Sequence, residues 1–274
     1  STVAELRLVF DRQAYGGELV STTGRDEIAL IVGGGPGISA SCARLFTESG
    51  MRVAVAARNI EKSALARLAS DFDVKLIQCD AADPSAVENL FQTVDETLGT
   101  PRLVVHNIDG RSAEVFRKPI TEVDPHLVLE TLKNSTFSGF LVAQQAAKRM
   151  LANDTDVEHR GSIIFTNASA ALKGYPLSGA FAAASHGKSG LAQSMARELM
   201  PKGIHIAHVP IDAAIGWEHE DGSRAHRLAG ETVDDNMAHP DRIAGVYVDL
   251  QRQDRSTWAV EVVWRPRPAH SRAA

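Results

Sequence analysis

The chain has 274 residues, a formal net charge of −5 and 44% apolar residues, which suits one α/β domain with a sizeable core. Charged side chains are spread without a basic block, so no electrostatic footprint for nucleic acid or anionic lipid is present and small-molecule chemistry is expected. No run of roughly 18 consecutive apolar residues exists, and Ser1–Arg25 lacks a basic stretch leading into an apolar one; a cytoplasmic protein without a membrane span is expected.

Residues 1–25 read as an N-terminal arm, 26–265 as one domain and 266–274 as a loose tail. Within the domain, Ile28–Val32, Val53–Ala57, Lys75–Cys79, Leu103–His106, Ser162–Thr166, His205–Val209 and Trp258–Val263 have the composition of strands. Amphipathic stretches lie between them, near Ile38–Ser49, Ile60–Ser70, Pro84–Leu98, Val123–Leu151, Ala180–Met200 and Pro240–Arg252. This alternation predicts right-handed crossovers and a doubly wound, seven-stranded parallel sheet with helices on both faces. Cys42 and Cys79 fall in apolar patterns and read as buried thiols. The segment Ala213–Asp235, rich in Gly, His, Asp and Glu, follows the sixth strand, where such sheets carry binding loops, and reads as a lid.

The first strand runs into Gly33-Gly-Gly-Pro-Gly37-Ile38-Ser39 and then an Ala/Leu-rich helix. A glycine turn between a strand and a helix N-terminus lets backbone amides approach a pyrophosphate, which assigns Gly33, Gly35, Gly37 and Ile38 to cofactor binding. After the second strand comes Ala56-Ala57-Arg58-Asn59, without the acidic residue that would accept from a ribose 2′-hydroxyl. The Arg58 fork suits a 2′-phosphate, so NADP(H) is the expected cofactor, with Asn59 beside it.

These residues resemble the short-chain dehydrogenase/reductase family, whose turn reads Thr-Gly-x-x-x-Gly-x-Gly, over about residues 27–265. Gly33 and Gly37 match its first two glycines; Val32 replaces the Thr, and Ser39 the last Gly, a change expected to adjust packing. The resemblance implies that Asp80 and Ala81 border the adenine and that Asn107 and Ile108 follow the fourth strand beside the cofactor. It puts Asp109 near the ribose or the substrate mouth, and Pro210 and Ala213 near the nicotinamide, with Ile211 in place of a Gly.

The family's proton relay is where this sequence departs from the pattern. Aligned through Gly190-Leu191, Phe181 takes the place of the proton-donating Tyr and Ser185 that of the Lys which lowers its pKa. The family Ser falls on Ala168, with Ser169 beside it, and the family Asn falls on Ser135, with Asn134 adjacent. Reading Lys188 as the motif lysine pairs it with Ala184 and breaks the register of the helix. Asn167, Ser169, Phe181, Ser185, Ser135 and Asp212 are therefore the reaction-site candidates, and Asp109, Tyr175 and Trp217 the substrate-binding ones.

An iminium carbon accepts hydride without an acid, so this set implies reduction of a bulky, polycyclic iminium with Phe181 offering a π face. That combination resembles the fungal reductase-derived intramolecular Diels–Alderases of bicyclic indole alkaloid pathways, which implies a coupled [4+2] closure. Two alternatives stay open: a carbonyl reductase whose proton comes from His186, Asp212 or water, and a catalytically silent NADP(H)-binding sensor or scaffold. No metal is expected, and the fold implies a homo-oligomer formed through Val128–Met150 and Phe181–Met200.

Overall fold

The computed structural model describes residues 27–61, 63–154, 156–218, 224–225 and 237–265. The N-terminal arm, the tail and most of the segment expected to be a lid lie outside the described residues.

Six short runs of β-branched and small apolar residues form one parallel sheet. These are β1 (Ile28–Val32), β2 (Arg52–Ala57), β3 (Lys75–Gln78), β4 (Leu103–His106), β5 (Gly161–Ala168) and β6 (Ile204–Ile211). Their order is β3-β2-β1-β4-β5-β6. The chain reverses direction of growth between β1 and β4, and the C-terminal ends of those two strands therefore open a crevice.

Helices α1 (Ile38–Glu48), α2 (Ser63–Phe72) and α7 (Pro240–Gln251) cover one face, where Cys42, Phe46, Leu65 and Tyr247 meet Ile31, Val55 and Val209. Helices α3 (Pro84–Thr97), α5 (Ser138–Ala152) and α6 (Gly179–Leu199) cover the other, where Phe91, Val142 and Ala192 meet Leu30, Val104 and Ile163. Being buried on both faces, β1 reads as an unbroken apolar run rather than an alternating one, and β6 is buried throughout although it carries His205 and His208. Three helices open on a side-chain cap followed by proline, at Asp83-Pro84, at Asp124-Pro125 (the start of α4, Pro125–Leu132) and at His239-Pro240.

Two expectations are corrected. The stretch Trp258–Val263 is not a seventh strand, although it runs parallel to β6 through bridges His208↔Glu261 and Ile211↔Trp264. Between those bridges stands Pro210, which has no N–H to give, so the ladder breaks in the middle. The single helix expected over Val123–Leu151 is instead α4 and α5 joined by a π-helical turn, Lys133–Phe137. The widened turn lets Thr136 Oγ1 donate to the Ala184 carbonyl of α6 at 2.7 Å.

Strand β5, which carries the reaction-site candidate Asn167, is fixed to α7 by a 2.8 Å hydrogen bond between the buried Thr166 and Tyr247 hydroxyls. Tyr247→Phe leaves Thr166 Oγ1 without that partner and is expected to cost about 1 kcal/mol. The corresponding fall in melting temperature is about 2–4 °C. An unchanged denaturation curve would show that this bond does not hold the strand.

Candidate active site

The glycine turn is shaped by a close backbone approach. Gly33 has φ +108°, and a Cβ placed on it would lie 2.3 Å from the Asn107 carbonyl oxygen, so only glycine fits there. Ser39 Oγ donates to the Gly33 carbonyl at 2.6 Å and accepts from Asn107 Nδ2 at 2.6 Å, while Asn107 N donates to the Val32 carbonyl at 2.8 Å. Ser39, read from sequence as a packing residue, thus ties the turn after β1 to the loop after β4. Its hydroxyl, on the second residue of an otherwise apolar helix start, was the signal for that role.

Over this turn lies a cleft of about 760 Å³. Its walls include Gly33, Arg58, Asn59, Asp80, Ala81, Asn107, Ile108 and Asp109, all predicted site residues, together with Arg111 and Asn134. Arg58 is exposed at the rim, and Asn59 folds back to accept from Glu61 N at 2.9 Å. Asp80 Oδ1 accepts from Ala82 N at 3.0 Å. No side chain caps the N-terminus of α1, and nothing lies within 4 Å of a Cβ built at Gly35 or Gly37. The approach to the helix end is open, as a phosphate group requires.

A second cavity of about 290 Å³ adjoins the first, sharing Asn107, Ile108, Asp109 and Arg111. Ile38, Asn167, Phe181, Ile211 and Ala213 line it, and so does Lys188. Asn167 is fixed on all sides: Nδ2 donates to the Ser185 carbonyl and to His208 Nε2, each at 2.9 Å, and Oδ1 accepts from Ala168 N at 2.9 Å. Because His208 Nε2 accepts, Nδ1 carries the proton and donates to Glu261 Oε2 at 2.8 Å. Burial is the main cause holding the His208 pKa below its usual value; Glu261 pulls it up, and the Lys188 charge pushes it down again.

Phe181 is buried in this wall, and the Arg111 guanidinium stands 4.3 Å from its ring centroid. Arg111 is held by Asp109, to whose Oδ2 its Nε donates at 2.9 Å. The ring face expected to greet a cationic substrate is therefore occupied by a cation of the protein. Lys188 is 1% exposed; its Nζ donates to the Ile108 carbonyl at 2.7 Å and the Thr166 carbonyl at 3.3 Å. Sequence register set this residue aside, whereas the helix brings it onto the face that already carries Phe181 and Ser185.

Several predicted residues are not on the walls of either cavity. Ser185 and Ser135 are buried, and among the described residues their Oγ atoms have no hydrogen-bond partner. Ser169 opens the 3-10 turn Ser169–Ala171 that follows β5. Pro210 sits in register with Asn167 inside the sheet. Asp212, its side chain mostly covered, is paired with Lys173 Nζ at 3.2 Å and accepts from the exposed Tyr175 at 3.4 Å. His186 is likewise exposed, its Nδ1 lying 3.0 Å from the Ala182 carbonyl. The backbone of Trp217 pairs with Ala225 in a short antiparallel bridge; its side chain lies outside the described residues. Cys42 and Cys79 are buried and free, their thiol pKa values raised mainly by burial, that of Cys79 to about 11. Among the described residues no cluster of His, Cys, Asp or Glu could hold a metal, and no helix is long and apolar enough to cross a membrane.

Ser39→Ala removes both hydrogen bonds that join Gly33 to Asn107. It is expected to cost about 2 kcal/mol and to speed hydrogen exchange at the Asn107 amide. A loss smaller than about 0.5 kcal/mol with unaltered exchange would mean that backbone packing alone holds the two loops.

Residues 33–260 match the family model described as "Enoyl-(Acyl carrier protein) reductase". The 3-oxoacyl-(acyl-carrier-protein) reductase MabA of Mycobacterium bovis is 30% identical over 234 residues, 83% of this chain and 86% of that protein. A short-chain dehydrogenase structure from Rhodopseudomonas palustris is 29% identical with a TM-score of 0.71, covering 89% of this chain and 100% of its own. A metagenomic short-chain oxidoreductase solved in complex with NADP has a TM-score of 0.71 at 22% identity, over 90% of this chain and 100% of that one. The chain belongs to the short-chain dehydrogenase/reductase family.

Proposed function

We propose that this chain is an NADPH-dependent reductase that delivers hydride to a carbonyl carbon. The observation that carries the reading is the pair of joined cavities: a long cleft from the glycine turn to Arg58, continuous through Asn107 and Ile108 with a smaller chamber walled by Phe181, Asn167 and Lys188. The cleft fits a dinucleotide. Gly33 keeps the backbone low, the open end of α1 faces a pyrophosphate, and Arg58 at the rim offers a planar fork to a 2′-phosphate. When bound, the dinucleotide supplies hydride; the chain supplies shape, orientation and charge.

The charge in the chamber favours one of the substrate readings. A ketone gains negative charge on oxygen as hydride arrives, and Arg111 and Lys188 both line the chamber that would hold it. Asp109 lines the same walls but is paired with Arg111, so an iminium would face the charge of Lys188, and one face of Phe181 is already covered by Arg111. The coupled [4+2] closure rests on that iminium reading and has no separate support in the cavity. A 3-oxoacyl reductase among the relatives fits the carbonyl reading. The silent-sensor alternative predicts binding without turnover. Assembly as a homo-oligomer belongs to the same proposal, with Leu129, Phe137 and Phe140 exposed along α4, the π-helical turn and α5.

Calorimetry and NADPH oxidation test this reading together. Arg58→Ala is expected to weaken NADPH binding about 10- to 100-fold while changing NADH binding little, as loss of one charged hydrogen-bond group implies. Absence of NADPH uptake by the unmodified chain would sink the proposal.

A further inference from the structure

We propose that Lys188 is the proton donor of this reaction: its ammonium, held by two backbone carbonyls in the wall of the second cavity, gives its third proton to the substrate oxygen. The inference deepens the reading as a carbonyl reductase and rests on it.

The case begins with which groups in that chamber can give up a proton. Phe181 has none. Thr166 shares its hydroxyl with Tyr247, Asn167 is fully engaged, Asp109 accepts from Arg111, and Arg111 is a fixed cation. Lys188 remains. It lies two helical turns after Phe181 and one after Ser185, on the buried face of α6.

Two acceptors make this lysine suited to acid work. A protonated amine has three N–H bonds, and the carbonyls of Ile108 and Thr166 take two. When the third proton leaves, the neutral amine still has two N–H groups, so both carbonyls stay satisfied and Nζ stays in place. Proton release therefore requires no rearrangement of the buried backbone. Burial also pushes the Lys188 pKa down to about 8, with Asp109 pulling it back up. The group is protonated at neutral pH and close enough to it to transfer.

The step balances as follows. Hydride from the reduced dinucleotide bonds to the carbonyl carbon, and the C=O π pair moves to oxygen. An Nζ–H bond breaks as an O–H bond forms, and the N–H pair stays on nitrogen. The carbonyl is reduced to an alcohol, the dinucleotide is oxidised, and a proton from water restores the ammonium.

The charged and titratable groups around Lys188 are Asp109 and Arg111 on the loop after β4, His106 on β4 and His208 on β6. Burial lowers both histidines, that of His106 well below its usual value, which removes them from the alkaline side of neutrality. A fall in rate above pH 8 would thus report Lys188.

The test uses the full chain with NADPH, and acetoacetyl-coenzyme A and 9,10-phenanthrenequinone as probe ketones. For the unmodified chain, kcat is expected to fall above about pH 8 with loss of one proton. Lys188→Met and Lys188→Arg should each lower kcat by about 100-fold or more, with calorimetric NADPH affinity changed less than about threefold. Independently of turnover, a lysine 13Cε signal absent from K188M should titrate near pH 8 instead of the usual value of about 10.4. The inference is overturned if either folded variant keeps kcat within about threefold, or if the alkaline limb is unmoved. It is equally overturned if no lysine titrates between about pH 7 and 9, or if NADPH binds and neither ketone turns over. Failure to bind NADPH overturns the cofactor reading instead, which separates the two.

Discussion

The site depends on one backbone contact, the approach of Gly33 to Asn107. Two strands that are neighbours in the sheet, β1 and β4, end side by side, and their continuations must pass within van der Waals contact before diverging. A side chain on Gly33 would push the loops apart. Ser39 then converts closeness into order, since one hydroxyl serves both the Gly33 carbonyl and the Asn107 amide. Because Asn107 and Ile108 line both cavities, this contact sets the geometry of the cofactor cleft and of the chamber at once.

Around the chamber the protein keeps polar groups that an apolar interior would exclude, and each is held by a partner chosen by the sheet. Thr166 and Asn167 are successive residues of β5 and point to opposite faces, so one reaches Tyr247 on α7 while the other reaches His208 and the Ser185 carbonyl. The chain Glu261, His208, Asn167 begins at a half-exposed carboxylate on the segment beside β6 and ends at the cavity wall. Asn167 cannot carry protons onward, but a fully bonded amide cannot rotate either. Its role is to fix a polar wall.

Much of this was legible in the sequence, and the misses share a cause. The glycine turn, Arg58 and the Asp80-Ala81 and Asn107-Ile108 pairs occur at strand ends, where position along the chain fixes position in the sheet. Asn167, near the end of β5, reaches the chamber wall for the same reason, whereas Phe181 reaches it from the first turn of α6. Ser169, Asp212 and Tyr175 were misplaced because the chain leaves β5 and β6 by turns whose direction no pattern specifies. Trp258–Val263 has strand composition, yet its ladder depends on a donor that Pro210, about 50 residues earlier, does not have. Lys188 was discounted by counting residues against a motif, whereas a helix face is set by 3.6 residues per turn, which brings positions 181, 185 and 188 together.

That helical arithmetic explains how a site can change its residues without changing its architecture. Apart from Phe181, Lys188 and Leu199, the buried face of α6 carries small residues, Ala180, Ala184, Ser185, Ser189, Ala192 and Ala196, which leave room between its backbone and the sheet. A long side chain from one turn further along can run through that space, bury its methylenes and still reach the cavity with its charged end, as Lys188 does. Such burial is unfavourable for the fold, since a charge leaves water for two carbonyl dipoles and the field of Asp109. The same penalty makes the ammonium a stronger acid than one in solvent. A group whose presence weakens the core and sharpens its own acidity is better explained by chemistry in the chamber than by stability.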